Sequence, residues 1–379
     1  MSSRFGAYFR SQYGSRWTNL LEELREPSCH IALLNRFAIE KGDMSSININ
    51  KSYRETSGNE QDLVPLNNWP PTESQEQQRL KLMMLQIDRT RPDHLQRHCN
   101  RLKEGYPPPE KNNKTDLFEW YWMDLASLIP PVMLDVKPGQ KILDACAAPG
   151  GKSLVIASQL FFPEDQHPKG QLICNDTSKN RRIRMATVLR SYVRPDLFGL
   201  GKIRFCGQSA ETFWPMKEGY DRILIDAPCS SERHIIHQCK GDIDAIGRED
   251  WSVAKCSRLS KSQIRMIQSA FRALKPGGRI VYSTCSLDYK QNDHVIDKVC
   301  KKYGDKIHVI SHDQRFENLA REIPLPLERQ GRSPSQGLGK LEKLSKGWVA
   351  LPDECGWGPL YVSVMEKAPW HSENDQKSE

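Results

Sequence analysis

The stretch Asp144-Ala-Cys-Ala-Ala-Pro-Gly-Gly-Lys-Ser153 decides the fold of this chain. A turn and a short apolar run precede it in residues 136–143, and residues at helical spacing follow it in 154–160. A strand, a glycine turn and a helix in this order bring the backbone close to a nucleotide-like ligand. The first glycine of a phosphate-binding P-loop is missing here, where Ala145 and Cys146 stand, and a plain turn would not need Pro149-Gly150-Gly151 beside an acid. The stretch therefore predicts a bound adenosine-type cofactor, provided that a parallel sheet follows.

Length, composition and charge limit the class of protein. The chain has 379 residues, 38% of them hydrophobic, which suits one α/β domain with an N-terminal extension, and no apolar run predicts a transmembrane helix. The net charge of +8 alone supports a nucleic-acid partner only weakly. The 11 cysteines show neither CxxC pairs nor zinc-ligand spacing, so reduced thiols of an intracellular compartment and no metal site are expected.

The N-terminal 21 residues allow two interpretations. They contain Arg4, Arg10 and Arg16, no acid, and many serines and aromatic residues. This composition is typical of a mitochondrial transit segment. It is equally compatible with a basic helix that is retained in the mature protein.

Changes in composition along the chain indicate four segments. Residues 118–129 are rich in aromatic residues at helical spacing and predict an amphipathic helix that Pro130-Pro131 ends. The predicted segments are a helical N-terminal segment (1–40), a polar and partly disordered connector (41–115), the main domain (116–368) and a disordered tail (369–379).

Strand and helix signals alternate through the main domain. This alternation predicts an α/β fold with a seven-stranded, mostly parallel sheet and helices on both faces. The last strand follows a long loop and is expected to be antiparallel. The predicted strands lie near 141–147, 171–177, 203–208, 222–228, 279–286, 307–312 and 360–366, and the predicted helices near 152–160, 179–191, 257–274 and 290–303.

Polar and nucleophilic residues follow several predicted strands, at the sheet edge where α/β proteins bind ligands. The second strand ends in Asn175-Asp176, and an acid there can bind a pair of ribose hydroxyls. The fourth ends in Asp226-Ala-Pro-Cys229 and the fifth in Ser283-Thr-Cys-Ser286. Because sequential strands are commonly neighbours, the two cysteines are expected to face one pocket. A buried structural cysteine or a disulfide is the alternative, which the turn-like sequence and the reducing compartment disfavour.

Two thiols beside an adenosine cofactor indicate methyl transfer from S-adenosylmethionine to a pyrimidine ring. Carbon 5 becomes nucleophilic once a thiolate adds to carbon 6; after methyl transfer, a base removes the carbon 5 proton and the thiol is expelled. Asp226 is suited to stabilise the charge that forms near ring nitrogen 3. The residues alone do not decide which of the two thiols attacks carbon 6. DNA cytosine methyltransferases use the cysteine of a Pro-Cys turn, which would correspond to Cys229.

Three motifs resemble the Sun-type (NSUN) RNA 5-methylcytosine methyltransferases, and the resemblance covers residues 117–367. They are Asp144 to Lys152, Asp226 to Cys229 and Tyr282 to Ser286. The resemblance implies a Rossmann-like S-adenosylmethionine-dependent methyltransferase fold for 116–368. Four further stretches resemble the mitochondrial ribosomal-RNA branch of the family. They are residues 5–37, residues 119–130, Glu232-Arg-His234 and Gly358-Pro-Leu-Tyr-Val362.

The resemblance also implies a role for individual residues. Cys285 would be the nucleophile, Cys229 would assist product release, and Asp226 would contact the cytosine. Where the family has an Asp near the adenine, this chain has Gln208 or Ser209. The implied cofactor site consists of Ala147, Pro149, Gly150, Gly151, Lys152, Asp176, Arg181, Gln208 and Asp226.

Three basic clusters support RNA as the substrate, although each is also compatible with a solvated helix face. Mitochondrial ribosomal RNA is the expected target, with transfer RNA, a ribosome-assembly role in which methylation is dispensable, and a small-molecule methyltransferase as alternatives. The resemblance implies a protein partner of the mitochondrial transcription-termination-factor family; neither DNA nor a membrane is expected. The clusters are Lys179, Arg181, Arg182, Arg184, Arg190, Arg194, Lys202 and Arg204; Lys255, Arg258, Lys261 and Arg265; and Lys340, Lys343 and Lys346.

Overall fold

A computed structural model describes most of the main domain and the N-terminal helices. The described residues are 4–28, 30–38, 63–66, 82–85, 108–161, 168–212, 219–310 and 341–369. Most of the predicted connector and tail lies outside these ranges, so the bounds of the four segments stay predictions. Within these ranges, no helix combines the length and the apolar character needed to cross a bilayer.

The described strands form two sheets. A four-stranded sheet has the order β2-β3-β1-β4, and a nine-stranded sheet has the order β11-β12-β13-β9-β8-β5-β6-β7, with β10 paired to β13. In chain order the strands are β1 (His30–Leu34), β2 (Leu63–Leu66), β3 (Leu82–Leu85), β4 (Trp120–Asp124), β5 (Lys141–Asp144), β6 (Gln171–Asn175), β7 (Ile203–Cys206), β8 (Tyr220–Asp226), β9 (Leu274–Thr284), β10 (Ile307–Val309), β11 (Glu342–Lys343), β12 (Trp348–Ala350) and β13 (Leu360–Lys367).

The large sheet confirms the predicted α/β architecture. Strands β5 to β9 pair in parallel, and β13 runs antiparallel to β9, as expected for a strand that arrives after a long loop. All seven predicted strands are present, and the short strands β11 and β12 extend the sheet at one side. Strands β8 and β9, which precede the two cysteines, are neighbours.

Helices cover both faces of this sheet. The neighbouring residues Ile142 and Leu143 belong to different buried clusters, as do Leu172 and Ile173, because successive side chains of a strand point to opposite faces. The helices are α1 (Arg4–Tyr13), α2 (Trp17–Arg25), α3 (Ile129–Met133), α4 (Gly151–Leu160), α5 (Lys179–Tyr192), α6 (Asp196–Gly199), α7 (Glu232–Gln238), α8 (Val253–Ala273), α9 (Asp293–Tyr303) and α10 (Pro352–Cys355).

The helix predicted over residues 118–129 is wrong. Trp120–Asp124 forms β4, and a 3-10 turn over Leu125–Leu128 leads into α3. Pro130 and Pro131 lie in the first turn of α3 instead of ending a helix, which is allowed because the first backbone N–H groups of a helix need no partner within it.

The helical interpretation of residues 1–40 is also wrong over His30–Leu34, which forms β1. This strand pairs antiparallel with β4, so that Ala32 lies opposite Trp122. The two strands are far apart in the chain, and their pairing overrides the local helical spacing of both segments. The small sheet therefore brings β4 next to the glycine turn.

Helices α1 and α2 belong to the core of the protein. Five of their side chains are fully buried against α7, the start of α8 and the loop after β9. Arg16 adds a charged link, with Nη1 2.9 Å from Oε2 of Glu342 and Nε 2.5 Å from Oδ2 of Asp353. This packing favours the retained helix over a removable transit segment for residues 4–25. The buried side chains are Phe5, Phe9, Trp17, Leu20 and Leu24.

Replacing Trp17 by alanine is expected to lower the free energy of unfolding by about 3–5 kcal/mol, because the indole is 1% exposed and its removal leaves a cavity. Trp17→Phe is the matched control, since the indole N–H has no hydrogen-bond partner among the described residues and only part of the ring is lost. Urea denaturation of the three proteins measures the difference. Equal midpoints for wild type and Trp17→Ala would contradict the role of this helix in the core.

Candidate active site

Two cavities meet at the carboxyl ends of the parallel strands. The larger, about 450 Å³, is lined by the residues that follow β8 and β9 and by α7. The smaller, about 220 Å³, lies between the glycine turn and β4. Lys152 and Asp226 line both cavities and mark their junction. This edge of the sheet is where α/β proteins bind their ligands.

The two cysteines come together at the larger cavity. The Sγ atoms of Cys229 and Cys285 lie 3.1 Å apart, because they directly follow neighbouring strands. The hydroxyl of Ser231 lies 3.4 Å from the first sulfur and 3.3 Å from the second. Both cysteines are free thiols, and Cys285 is exposed. The expectation that they share one pocket agrees with this geometry.

Contact between the sulfur atoms changes the acidity of both thiols. The hydrogen bond from Cys285, together with that from Ser231, lowers the pKa of Cys229, and the same sulfur contact raises the pKa of Cys285. Because the two groups interact strongly, these values belong to the pair: its first proton leaves readily and its second is retained. The pair can therefore hold one thiolate and one thiol at the same time.

An ion pair lies where the two cavities meet. Nζ of Lys152 lies 2.8 Å from Oδ2 of Asp226 and donates to the hydroxyl of Ser127 at 3.3 Å. The hydroxyl of Ser283 donates to Oδ1 of Asp226 at 2.8 Å, which fixes the carboxylate at the end of β8. Burial opposes the charge of Lys152, but the Asp226 carboxylate outweighs it and raises the pKa of Lys152. A positive and a negative group thus face both cavities.

Asp144 ends β5 beneath the glycine turn. It is fully buried, and its Oδ2 accepts a hydrogen bond from Ser153 at 2.7 Å. Burial raises the pKa of Asp144 to about 7, and the charge of Asp226 adds to this effect.

The raised pKa of Asp144 predicts a pH dependence of stability. Between 3.8 and about 7, the folded protein keeps a proton that the unfolded chain has lost, so the free energy of unfolding falls as pH rises through this window. The full effect amounts to roughly 4 kcal/mol. Asp144→Asn, which can still accept from Ser153, is expected to remove this slope in urea denaturation series from pH 4 to 8. Parallel curves for the two proteins would contradict the prediction.

The glycine turn has the tight geometry that its sequence predicts. Gly150 caps α4 with φ of 115°, a left-handed conformation that favours glycine. A Cβ on Gly151 would lie 2.9 Å from Cε1 of Tyr121 on β4. Ala147, Pro149 and Gly151 line the smaller cavity, whereas Gly150 faces α5 and lines neither cavity.

Of the remaining predicted cofactor residues, Asp176, Arg181 and Gln208, only Arg181 lines one of the two cavities. The Asp176 carboxylate is buried after β6, where it accepts from the amide of Ser178 at 2.9 Å and lies 3.3 Å from Nη1 of Arg181. Arg181 also donates to the carbonyl of Ala148 at 2.8 Å and lines the larger cavity. Neither cavity is lined by Asp176 or by the exposed Gln208. The structure therefore does not bring the side chain of Gln208 together with the glycine turn.

Sequence reasoning missed several residues of the site. His30, Tyr121 and Asp124 of the small sheet line the smaller cavity, because the strand pairing that places them was not predicted. Asn175 holds the Gln208 loop, since its Oδ1 accepts from the Gln208 amide at 2.8 Å. Its position beside Asp176 at the end of β6 was the available signal.

Comparisons with known proteins agree with this architecture. Residues 131–322 match the family model described as 16S rRNA methyltransferase RsmB/F. The chain is 32% identical over 265 residues to 5-cytosine rRNA methyltransferase NSUN4 of Bos taurus, covering 68% of this chain and 62% of that protein. It is 32% identical over 262 residues to the mitochondrial tRNA (cytosine(34)-C(5))-methyltransferase of Danio rerio, covering 69% of this chain and 64% of that protein. It thus spans less than two thirds of either relative.

A solved structure shows the same fold. The crystal structure of NSun6 from Pyrococcus horikoshii with SFG is similar to this chain with a TM-score of 0.60 and 17% identity. The similarity covers 96% of this chain and 98% of the other.

Proposed function

The chain belongs to the 16S rRNA methyltransferase RsmB/F family, and from that membership we propose that it methylates carbon 5 of cytosine in RNA with S-adenosylmethionine as methyl donor. The observation that carries this proposal is the pair of thiols 3.1 Å apart, beside the Lys152–Asp226 ion pair. Similar proteins are named as ribosomal-RNA and transfer-RNA cytosine methyltransferases.

The donor groups at the glycine turn fit the proposed cofactor. Its amino-acid end carries an ammonium and a carboxylate, which complement Asp226 and Lys152 at the junction of the cavities. Asp176, supported by Arg181, is proposed to bind the ribose. The adenine contact of Gln208 stays a prediction, since its exposed side chain lines neither cavity. The NSun6 structure that contains SFG, an analogue of S-adenosylmethionine, supports a cofactor site in this fold. When bound, the cofactor supplies the methyl group.

The thiols are proposed to divide the chemistry on the cytosine ring. Cys285 forms a bond from its sulfur to carbon 6, and the electron pair of the double bond between carbons 5 and 6 makes carbon 5 nucleophilic. Asp226 contacts the ring at nitrogen 3 and stabilises the charge that this addition creates. After methylation a base takes the carbon 5 proton, the electron pair left behind re-forms the double bond, and the bond from carbon 6 to the sulfur of Cys285 breaks. Cys229, whose sulfur lies 3.1 Å from that of Cys285, is proposed to assist the departure of the leaving sulfur.

RNA is the substrate class that the surface favours. Helix α5 exposes Lys179, Arg184 and Arg190 on one side of the site. Arg181 is held beside Asp176, and Arg265 is paired with Glu211, so part of the basic clusters is already engaged. The exposed cations can contact phosphates, while the target base leaves its stack to reach the thiols.

We propose mitochondrial ribosomal RNA as the finer target, and the relative in Danio rerio keeps transfer RNA as a second candidate. Localisation in mitochondria rests on the name of the Danio rerio relative and on the resemblance of the sequence. The protein partner of the mitochondrial transcription-termination-factor family rests on that resemblance.

The test is bisulfite sequencing of mitochondrial ribosomal and transfer RNAs from cells that lack the protein. We expect one or more ribosomal cytosines to lose methylation and to regain it with the wild-type protein but not with Cys285→Ala. Loss confined to transfer RNA would select the second candidate. Full rescue of ribosome assembly by Cys285→Ala would instead support an assembly factor whose methylation is dispensable. Unchanged RNA methylation would overturn the proposal.

A further inference from the structure

Glu232 is a fully buried carboxylate near the two cysteines. It is the first residue of α7, three positions after Cys229. Its Oε1 accepts hydrogen bonds from the hydroxyl of Ser230 and, at 3.4 Å, from that of Ser286. Its Oε2 accepts from the backbone amide of Leu287 at 3.0 Å. One carboxylate thus receives three hydrogen bonds from two separate loops.

The two serine donors directly follow the cysteines in the sequence. Ser230 follows Cys229, and Ser286 follows Cys285. The hydroxyls of the two serines lie 2.8 Å apart, and Nε2 of Gln291 donates to both, at 2.6 and 3.1 Å. A closed hydrogen-bond network therefore joins the two cysteine loops beneath the thiols.

The pairing of β8 with β9 does not reach the thiols. The ladder between β8 and β9 ends with Asp226 opposite Ser283, and both cysteines lie beyond this last pair. Thr284 also pairs with Tyr361 of β13, but no strand pairing joins the two cysteine loops to each other, so an anchor between them has to come from side chains. Glu232 supplies such an anchor, because each of its oxygens accepts from the loop that carries Cys285, and one also accepts from the loop that carries Cys229.

A carboxylate suits this position better than an amide of the same size. Burial raises the pKa of Glu232, while the hydrogen bonds from Ser230 and Leu287 favour its charged form. A glutamine would direct its NH₂ group at one of the donors and lose that hydrogen bond. Hydrogen bonds to a charged acceptor are also stronger than those to a neutral one.

We propose that Glu232 is a positioning residue that holds the thiols of Cys229 and Cys285 at their working separation. It acts through Ser230, Ser286 and Leu287. The catalytic meaning of this role rests on the proposed function, but the separation of the thiols can be measured without RNA.

The experiment uses phenylarsine oxide, which bridges two close thiols through two arsenic–sulfur bonds and releases water. Its affinity for the full-length protein depends on the distance between the two sulfur atoms. The affinity of Cys285→Ala, which lacks one of the two thiols, gives the background binding. The variants are Glu232→Gln and Glu232→Ala. Asp293→Asn is the matched control, since Asp293 is also a buried carboxylate, but it accepts from Ser345, Lys346 and Tyr361 instead of the cysteine loops.

We expect Glu232→Ala to weaken the bridging at least tenfold, Glu232→Gln to lie between it and wild type, and Asp293→Asn to match wild type. Turnover should fall about 100-fold in Glu232→Ala, with the KM for S-adenosylmethionine within twofold, because misplacement of reacting groups by about 1 Å costs this much. If Glu232→Ala does not fold, Glu232→Gln decides the question through the same readouts.

Unchanged bridging in a folded Glu232→Ala or Glu232→Gln protein would overturn the proposal, as would an equal loss in Asp293→Asn. The proposed function can fail separately. A wild-type protein that bridges the arsenical through Glu232-dependent thiols, but does not methylate RNA, would keep the positioning role and remove the methylation.

Discussion

Replacing Cys285 with alanine is expected to abolish RNA methylation, by on the order of 10⁴-fold or more, because the bond to carbon 6 can no longer form. Cys229→Ala is expected to form this bond and to release its product poorly, so that a covalent protein–RNA adduct accumulates. The measurement incubates each variant with RNA and S-adenosylmethionine and separates the products on a denaturing gel. Labelled RNA that migrates with the protein reports the adduct.

The two cysteines give opposite expectations although their sulfur atoms lie only 3.1 Å apart. An adduct with Cys285→Ala and none with Cys229→Ala would assign the attack to Cys229, as the Pro-Cys turn alone would suggest. Cys300→Ala is the control for removal of a thiol, since Cys300 lies on α9 and lines neither cavity. It should methylate RNA like wild type.

Asp226→Ala should have the second largest effect, a loss of turnover on the order of 10²–10³-fold. The carboxylate lies at the junction of the two cavities and is proposed to stabilise the ring during addition of the thiol. The double variant Cys229→Ala/Asp226→Ala should therefore form far less adduct than Cys229→Ala alone. Adduct formation in time courses on the denaturing gel measures this difference.

Ser283→Ala separates the carboxylate from its support. It removes the hydrogen bond of 2.8 Å to Oδ1 of Asp226 and leaves the ion pair with Lys152 in place. A hydrogen bond of this kind contributes about 1 kcal/mol, so a roughly fivefold loss of turnover is expected for Ser283→Ala.

For the double variant, equal adduct yields from Cys229→Ala and Cys229→Ala/Asp226→Ala would show that addition of the thiol does not need the carboxylate of Asp226.

Local patterns predicted the large sheet well because each of its elements carries its own signal. The helix predicted over 179–191 is observed as Lys179–Tyr192, and the antiparallel last strand is observed as Leu360–Lys367. The helix predicted over 118–129 failed because Trp120 and Met123, the two buried residues of β4, are spaced three apart, which is the spacing of a helix face. Pairing with His30–Leu34 decides in favour of the strand, and such long-range pairing leaves no local signal.

The part of the candidate site that depends on the order of the strands could be predicted from the sequence. Cys229 and Cys285 follow sequential strands, so their meeting in one pocket could be inferred from the alternation of elements. The buried carboxylate of Glu232 could not be found in the same way, since an acid in the first turn of a helix is usually explained by the helix dipole. Only the three-dimensional arrangement shows that its partners are Ser230, Ser286 and Leu287.

The position of β13 affects how the chain can be made. This strand lies between β9 and β12, and its first six residues are buried. During synthesis on the ribosome, β9 therefore stays an open edge until Leu360–Lys367 has been translated, and open edges pair readily with other chains. A message that ends early would thus yield an aggregating fragment rather than a smaller enzyme. The loop that carries Cys285 gains its final support only when translation of the domain is nearly complete.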